Sequence, residues 1–245
     1  MRVRTPGRVG RLPPWLWFLP LLLLACATRT DSTGRQSSTV DVKYLAKTEI
    51  DRVADSNRQE VVEGLLRIAD KLYRRNPREW KKAGLAHREE ALSRLRQRQI
   101  KSWPALSGMV EAQAATLAFS EGYTGDRVAA LMFGLLTMVD AAFEHKDEFF
   151  LFDSLNEQKL FNAARNMEVA IWKLGNDRDA SQALYLLSNE LDPQNRNLSF
   201  EREFGRVIGL LDFMAKVVAD RNGRSLSRAT QSVVSTVFFP IGLLK

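Results

Sequence analysis

The sequence predicts an all-α protein in which about seven to nine helices form a compact irregular or orthogonal bundle. From residue 41 onward, apolar residues recur at steps of three and four, which is the spacing of one helix face. The clearest series is Phe200, Phe204, Val207, Leu211, Met214 and Val218. Apart from VVSTVFF at 233–239, no period-two run of convincing length is present, so no secure strand is predicted.

The first half of this region contains three predicted helices. The first carries an apolar face formed by Val61, Leu65, Ile68 and Leu72. A second, charged helix is expected from Asn76 to about Gln99, with Asn76 as N-cap and Glu79 closing a capping box. SWPALSG interrupts this pattern, and a third helix is expected from about Leu106 to Ser120.

Residues 126–143 are apolar on nearly all sides and predict the central, buried helix of the bundle. The segment is too short to span a bilayer, which needs roughly 20 apolar residues. It contains Asp140, and a buried carboxylate needs a partner. We therefore expect Asp140 to pair with an arginine or a backbone amide.

Three or four further helices are predicted in the remainder of the chain. SLNE at 154–157 predicts a second capping box, which opens a helix with an apolar stripe from Leu160 to Leu174. A short helix is expected over 177–195, and the helix carrying Phe200 should end at 221–223. A last helix is expected over 232–245, kinked or ended near Pro240.

The amino-terminal region has a different character. Residues 1–11 contain four arginines and no acid, and they precede an apolar run of 14 residues from Leu12 to Ala25. This run is short for a bilayer span and contains Pro13, Pro14 and Pro20. A basic start followed by a short apolar core predicts a secretory signal peptide.

The sequence Leu23-Leu24-Ala25-Cys26 resembles the lipobox of bacterial lipoproteins, although Leu24 departs from the usual small residue. The resemblance implies cleavage before Cys26 and covalent lipid on its thiol, with no other cofactor expected. Ala27, rather than Asp, follows the cysteine, which in such proteins favours the periplasmic face of the outer membrane. Cys26 is the only cysteine, so an internal disulfide is excluded. The expected organisation is a signal peptide over 1–25, a lipidated, flexible tether over 26–40 and one α-helical domain over 41–245.

The charge pattern contains one local feature. Without residues 1–25, 32 basic and 29 acidic residues remain, a balance that argues against nucleic acid as a partner. Residues 71–101 nevertheless carry eleven cations against three glutamates. A predicted anionic-surface patch consists of Arg74, Arg75, Arg78, Lys81, Lys82, Arg88, Arg94, Arg96 and Arg98. Trp80 and Trp103 flank it. It is either a solvated face, partly neutralised by the acidic stretch 140–157, or a contact for anionic lipid or an envelope protein.

Catalytic and metal-binding patterns are weak in this sequence. His87 and His145 lie on separate segments without a nearby cysteine, and His87 is expected to share a helix face with Trp80 and Ala91. Neither a nucleophile elbow nor a phosphate-binding loop is present. The leading hypothesis is a membrane-anchored, non-enzymatic lipoprotein that acts as an accessory, scaffold or binding component. The alternatives are a helical carrier of an apolar ligand and an envelope hydrolase with a carboxylate site.

Overall fold

The structure is a computed structural model of the 245-residue chain that describes residues 29–30, 36–37, 47–97, 103–150, 153–223 and 237–242. The all-α prediction is confirmed, since seven α-helices account for most of the described residues. They are α1 (Glu49–Arg75), α2 (Pro77–Lys82), α3 (Arg88–Arg96), α4 (Glu111–Leu117), α5 (Arg127–Ala142), α6 (Glu157–Asn176) and α7 (Ser199–Asn222). A 3-10 turn covers Pro104–Leu106. The two-residue strands β1 (Arg29–Thr30) and β2 (Gln36–Ser37) pair antiparallel outside the helical unit.

The helical unit is organised around α5, which contacts α1, α2, α3, α4 and α6. Thirteen of its sixteen residues are buried, which confirms the prediction of a central helix. The closest approach is at Gly134, where a Cβ atom would lie 2.5 Å from the backbone nitrogen of Ala115 on α4. Glycine is therefore required at this position for α4 to pack against α5.

The core joins the faces that the apolar periodicity predicts. Val61, Leu65 and Ile68 of α1 are fully buried, as are Phe204 and Val207 of α7. Within the described part of the chain, the core residues lie between Ala54 and Ile241. No helix in the described part of the chain combines the length and apolar character needed to cross a bilayer.

The prediction of one helix from Asn76 to Gln99 is wrong. α2 ends at Lys82, Gly84 adopts a left-handed conformation with φ +69°, and α3 begins only at Arg88. Asn76 is the N-cap of α2, but its side chain makes no capping bond there. His87 is the exposed N-cap of α3 and does not share a helix face with Trp80.

Two other helix starts also differ from their predictions. α4 begins at Glu111 because Ser107 and Gly108, with φ +51° and +80°, interrupt the expected start at Leu106. α6 is capped by Asn156, whose side-chain oxygen accepts from Gln158 N at 2.9 Å. The predicted capping box over 154–157 is therefore wrong.

The predicted helix over 177–195 is an irregular connection, here called the α6–α7 loop (177–198). It contains two isolated antiparallel bridges, Arg178 with Leu184 and Glu190 with Asn197. Asp179 accepts from two backbone amides of its own turn, and such local bonds compete with helix formation. Residues 237–242 are also non-helical, and the rest of the predicted last helix lies outside the described residues.

Candidate functional site: a groove between four helices

An open groove with a volume of about 950 Å3 lies among α1, α3, α4 and α5. This volume is within the range of ligand pockets, roughly 300–1,000 Å3. Its apolar lining consists of Val62, Leu66, Leu95, Val110, Phe133 and Leu136. Its polar lining includes Arg58, Glu63, Arg94, Arg96, Gln97, Glu111, Thr137, Asp140, His145 and Asp147. The groove therefore offers apolar contact together with charges of both signs.

A charge cluster occupies the end of the groove at the carboxyl terminus of α5. Arg58 Nη2 lies 3.2 Å from Asp140 Oδ1 and 2.9 Å from Asp147 Oδ1. The other oxygen of Asp140 lies 2.7 Å from His145 Nδ1. The predicted pairing of Asp140 with an arginine is confirmed, although this carboxylate is 43% exposed rather than buried. The cluster orients the His145 imidazole through Asp140.

Backbone strain is concentrated beside this groove. Glu144 and His145 follow each other with φ of +55° and +56°, and Glu111, across the groove, has φ +48°. Lys159 holds the Glu144 carboxylate at 2.8 Å, and Thr137 Oγ1 accepts from Glu111 N at 2.8 Å. Non-glycine residues in this region are strained by about 1 kcal/mol or more, and such strain is concentrated at functional sites. Strained backbone therefore occurs at two residues that line the groove, Glu111 and His145, and at Glu144 beside it.

The segment 237–242 fastens the groove wall at α4. The Glu111 carboxylate accepts from Ile241 N at 3.4 Å and from Gly242 N at 3.1 Å. Asn166, fully buried on α6, bonds both backbone groups of Phe239, at 2.7 and 2.9 Å. Glu111 is thus a lining residue of the groove and the attachment point of this segment.

A buried polar cluster at the start of α5 lies outside the groove lining. Asp126 caps α5 by accepting from Ala129 N at 2.8 Å, and Tyr73 O–H donates to it at 2.9 Å. Burial, with a contribution from the charge of Glu79, raises the Asp126 pKa to about 6. Glu79 accepts from Arg127 N at 2.8 Å. The cluster fixes α1, α2 and α5 to one another, so its role is structural.

The predicted anionic-surface patch is largely paired. Five of its cations each contact at least one carboxylate. Arg74 contacts Asp70, Arg75 contacts Glu190, Lys82 contacts Glu79, Arg88 contacts Asp70 and Glu89, and Arg94 contacts Glu90. Arg78, Lys81 and Arg96 have no carboxylate partner among the described residues. Cys26 and Arg98 lie outside the described ranges.

The surroundings of this patch include the acidic stretch 140–157 and two tryptophans. In the acidic stretch, Asp140 pairs with Arg58, Glu144 with Lys159 and Asp153 with Lys146, and these three cations do not belong to the predicted patch. Trp103 is buried against Phe133, with ring centroids 5.7 Å apart, so it does not flank an exposed patch. Trp80 is half-buried with the Lys81 ammonium over its ring.

Sequence reasoning missed the groove because its walls come from distant parts of the chain. Arg58 and Asp140 are 82 residues apart, and the backbone turn that brings His145 to Asp140 has no glycine to announce it. Within the described ranges, no group of three or more His, Cys, Asp or Glu residues is arranged to hold a metal ion. No family model matches the chain, and neither a curated protein nor a solved structure shows significant similarity to it.

Proposed function

We propose that this protein is a non-enzymatic binding lipoprotein of the bacterial cell envelope, held on the periplasmic face of the outer membrane by lipid on Cys26. The lipobox-like sequence supports the anchor, which would raise the local concentration of the helical unit near its partners. The groove of about 950 Å3 carries the proposal of binding. Its strained Glu111 and His145 support the same assignment.

The lining of the groove favours a segment of an envelope protein as the occupant. Phe133 and Leu136 offer apolar contact, whereas Arg96 and Asp147 present opposite charges to the same space. A central apolar area with a polar surround is the usual anatomy of a protein interface. A peptide segment with apolar side chains between charged ones matches this surface.

Binding in the groove can be tested by filling the groove with larger side chains. Val62→Trp and Leu136→Trp each enlarge a half-buried side chain that lines it. Ile208→Trp and Val217→Trp are matched controls, since these α7 residues are partly buried and do not line it. Cross-linking in cells, followed by purification in detergent, should recover a partner with wild type and the controls and lose it with the groove variants. Identical partners in all five proteins would refute groove binding.

The apolar lining also favours a second function, the carriage of an apolar ligand. Organic extraction of the purified protein distinguishes the two functions. A co-purified apolar molecule that is lost in Leu136→Trp but retained in Ile208→Trp would establish the carrier. A groove-dependent protein cross-link without such a molecule would establish the protein-binding function.

The anchor requires its own measurement. Intact mass and membrane partitioning of wild type are compared with those of Cys26→Ser. Loss of residues 1–25, a mass gain that matches acyl chains, and release or failed processing of the variant are expected. An uncut chain with unmodified Cys26 would refute the lipoprotein assignment.

A further inference from the structure

Three exposed leucines occupy the α6–α7 loop. Leu187, Leu191 and Leu198 are 46%, 68% and 40% exposed. They make up half of the six large hydrophobic residues that are strongly exposed in the described part of the chain. Their clustering in one short segment distinguishes them from the isolated exposed apolar residues that are common on protein surfaces.

Hydrogen bonds fix this loop on the carboxyl-terminal end of α1. Asn76 Nδ2 donates to Leu187 O, and Leu187 N donates to Asn76 Oδ1, both at 2.8 Å. The Arg75 guanidinium lies 3.5 Å from Glu190, and Lys71 donates to Ser199 O at 3.1 Å. The leucines are therefore held beside the junction of α1 and α2.

This end of the helical unit is cationic. Residues 71–82 carry six Lys or Arg residues against Glu79 alone, and the Glu79 carboxylate is buried. The exposed Arg78, Lys81 and Arg196 have no carboxylate partner among the described residues. Of the three acids near the leucines, Glu190 pairs with Arg75, and Asp192 accepts from Gln194 N within its own turn. The third, the exposed Glu201, accepts from Asn189 Nδ2 at 3.0 Å.

We propose that Arg78, Lys81, Leu187, Leu191, Arg196 and Leu198 form a leucine–cation surface that docks the helical unit on an anionic phospholipid bilayer. The leucine side chains enter the interfacial region, and the cations lie at the level of the lipid phosphates. This inference takes proximity to the membrane from the proposed anchor and is independent of the groove. Docking through this surface would fix which side of the helical unit faces the membrane.

Vesicle binding by a chain from Ala27 to Lys245 tests the surface. This chain contains the core residues that the structure describes and lacks Cys26, so neither lipid nor signal peptide contributes to binding. We expect sedimentation with phosphatidylglycerol vesicles, weaker binding to phosphatidylcholine vesicles, and loss of binding as salt is added. Leu191→Ser should lower the partition coefficient about tenfold. Arg78→Gln and Lys81→Gln should each lower it about fivefold.

Two exposed residues of α7 provide matched controls. Phe213→Ser removes an apolar side chain that is 55% exposed, and Lys216→Gln removes an exposed cation. Both should bind vesicles as wild type does. Equal binding to the two kinds of vesicle, or equal effects of the control and surface variants, would overturn the proposal. Because the groove residues and Cys26 chemistry are not involved, that result would leave the proposed function intact.

Discussion

Arg58 of α1 joins Asp140 and Asp147, with its Nη2 atom 3.2 Å from one carboxylate and 2.9 Å from the other. The guanidinium side chain is only 8% exposed, whereas the carboxylates are 43% and 58% exposed. One nearly buried cation thus holds Asp140, in the last turn of the central helix, and Asp147, which follows that helix. The shape of this end of the groove depends on that contact.

Arg58→Met should destabilise the protein by about 2 kcal/mol, because it leaves two neighbouring carboxylates without their shared cation. Urea unfolding measures the change. Arg206→Met is the control, since the Arg206–Glu60 pair is exposed on both sides and should contribute under about 1 kcal/mol. Equal losses in the two variants would contradict a special role for Arg58.

His145→Gly should raise stability by up to about 1 kcal/mol, because glycine relieves the left-handed conformation at φ +56°. It should also weaken partner capture, since the imidazole lines the groove. Gln182→Gly, at φ +65° in the α6–α7 loop, should be stabilising without any loss of capture. Thermal unfolding and the cross-linking assay give the two readouts. If His145→Gly captures its partner as well as wild type does, the His145 imidazole does not contribute to the proposed binding.

Asp126 should make stability depend on pH. Its pKa is raised from 3.8 to about 6 by burial, so the folded state favours the protonated carboxyl. Its contribution to stability is present in full below pH 3.8 and is lost as pH rises through about 6. Relative to Asp126→Asn, wild type should lose at most about 3 kcal/mol across this window.

Urea unfolding of both proteins from pH 4 to pH 7 measures this difference. Tyr73→Phe provides a second arm, because the Tyr73 O–H bond lowers the Asp126 pKa. Loss of this hydrogen bond should raise the Asp126 pKa further, so the loss of stability should occur at higher pH. A difference between wild type and Asp126→Asn that stays constant with pH would contradict the assignment.

Gly134→Ala should destabilise the protein by about 2 kcal/mol, because the new methyl group would collide with the α4 backbone. Gly209→Ala on α7 is the control, since its Cβ would meet open space. That substitution should stabilise the protein by about 1 kcal/mol through helix propensity. Urea unfolding should therefore show a loss of stability for Gly134→Ala and a gain for Gly209→Ala; the opposite sign for either variant would contradict the prediction.

The helices that the sequence predicts best are those that bury one continuous face. The helix α1 can be predicted from Val61, Leu65 and Ile68, and α7 from the series Phe200 to Val218, because in both the apolar residues recur over several helical turns. The same reasoning failed over 177–195, where local bonds from Asp179 and Asp192 replace helical ones. Local hydrogen bonds made by polar side chains compete with helix formation, and the spacing of the apolar residues does not reveal them.

The candidate site was harder to predict than the fold. The spacing of Asp140 and His145 has no functional signature, and only a left-handed turn brings the two side chains together. The predicted lipid site at Cys26 shows the reverse case, since the prediction needs only four adjacent residues, and these lie outside the described ones. Local motifs can be predicted from sequence, whereas surfaces assembled from separated helices require the fold.

The attachment of Ile241 and Gly242 to Glu111 sets an order of events. These two residues follow every described helix in the chain, yet they secure the first turn of α4. Synthesis delivers a chain from its amino to its carboxyl end. A chain that has emerged only as far as α7 would therefore contain all four groove helices without the two hydrogen bonds to Glu111. The first turn of α4 would then be secured only after Ile241 and Gly242 have emerged, later than every helix that lines the groove.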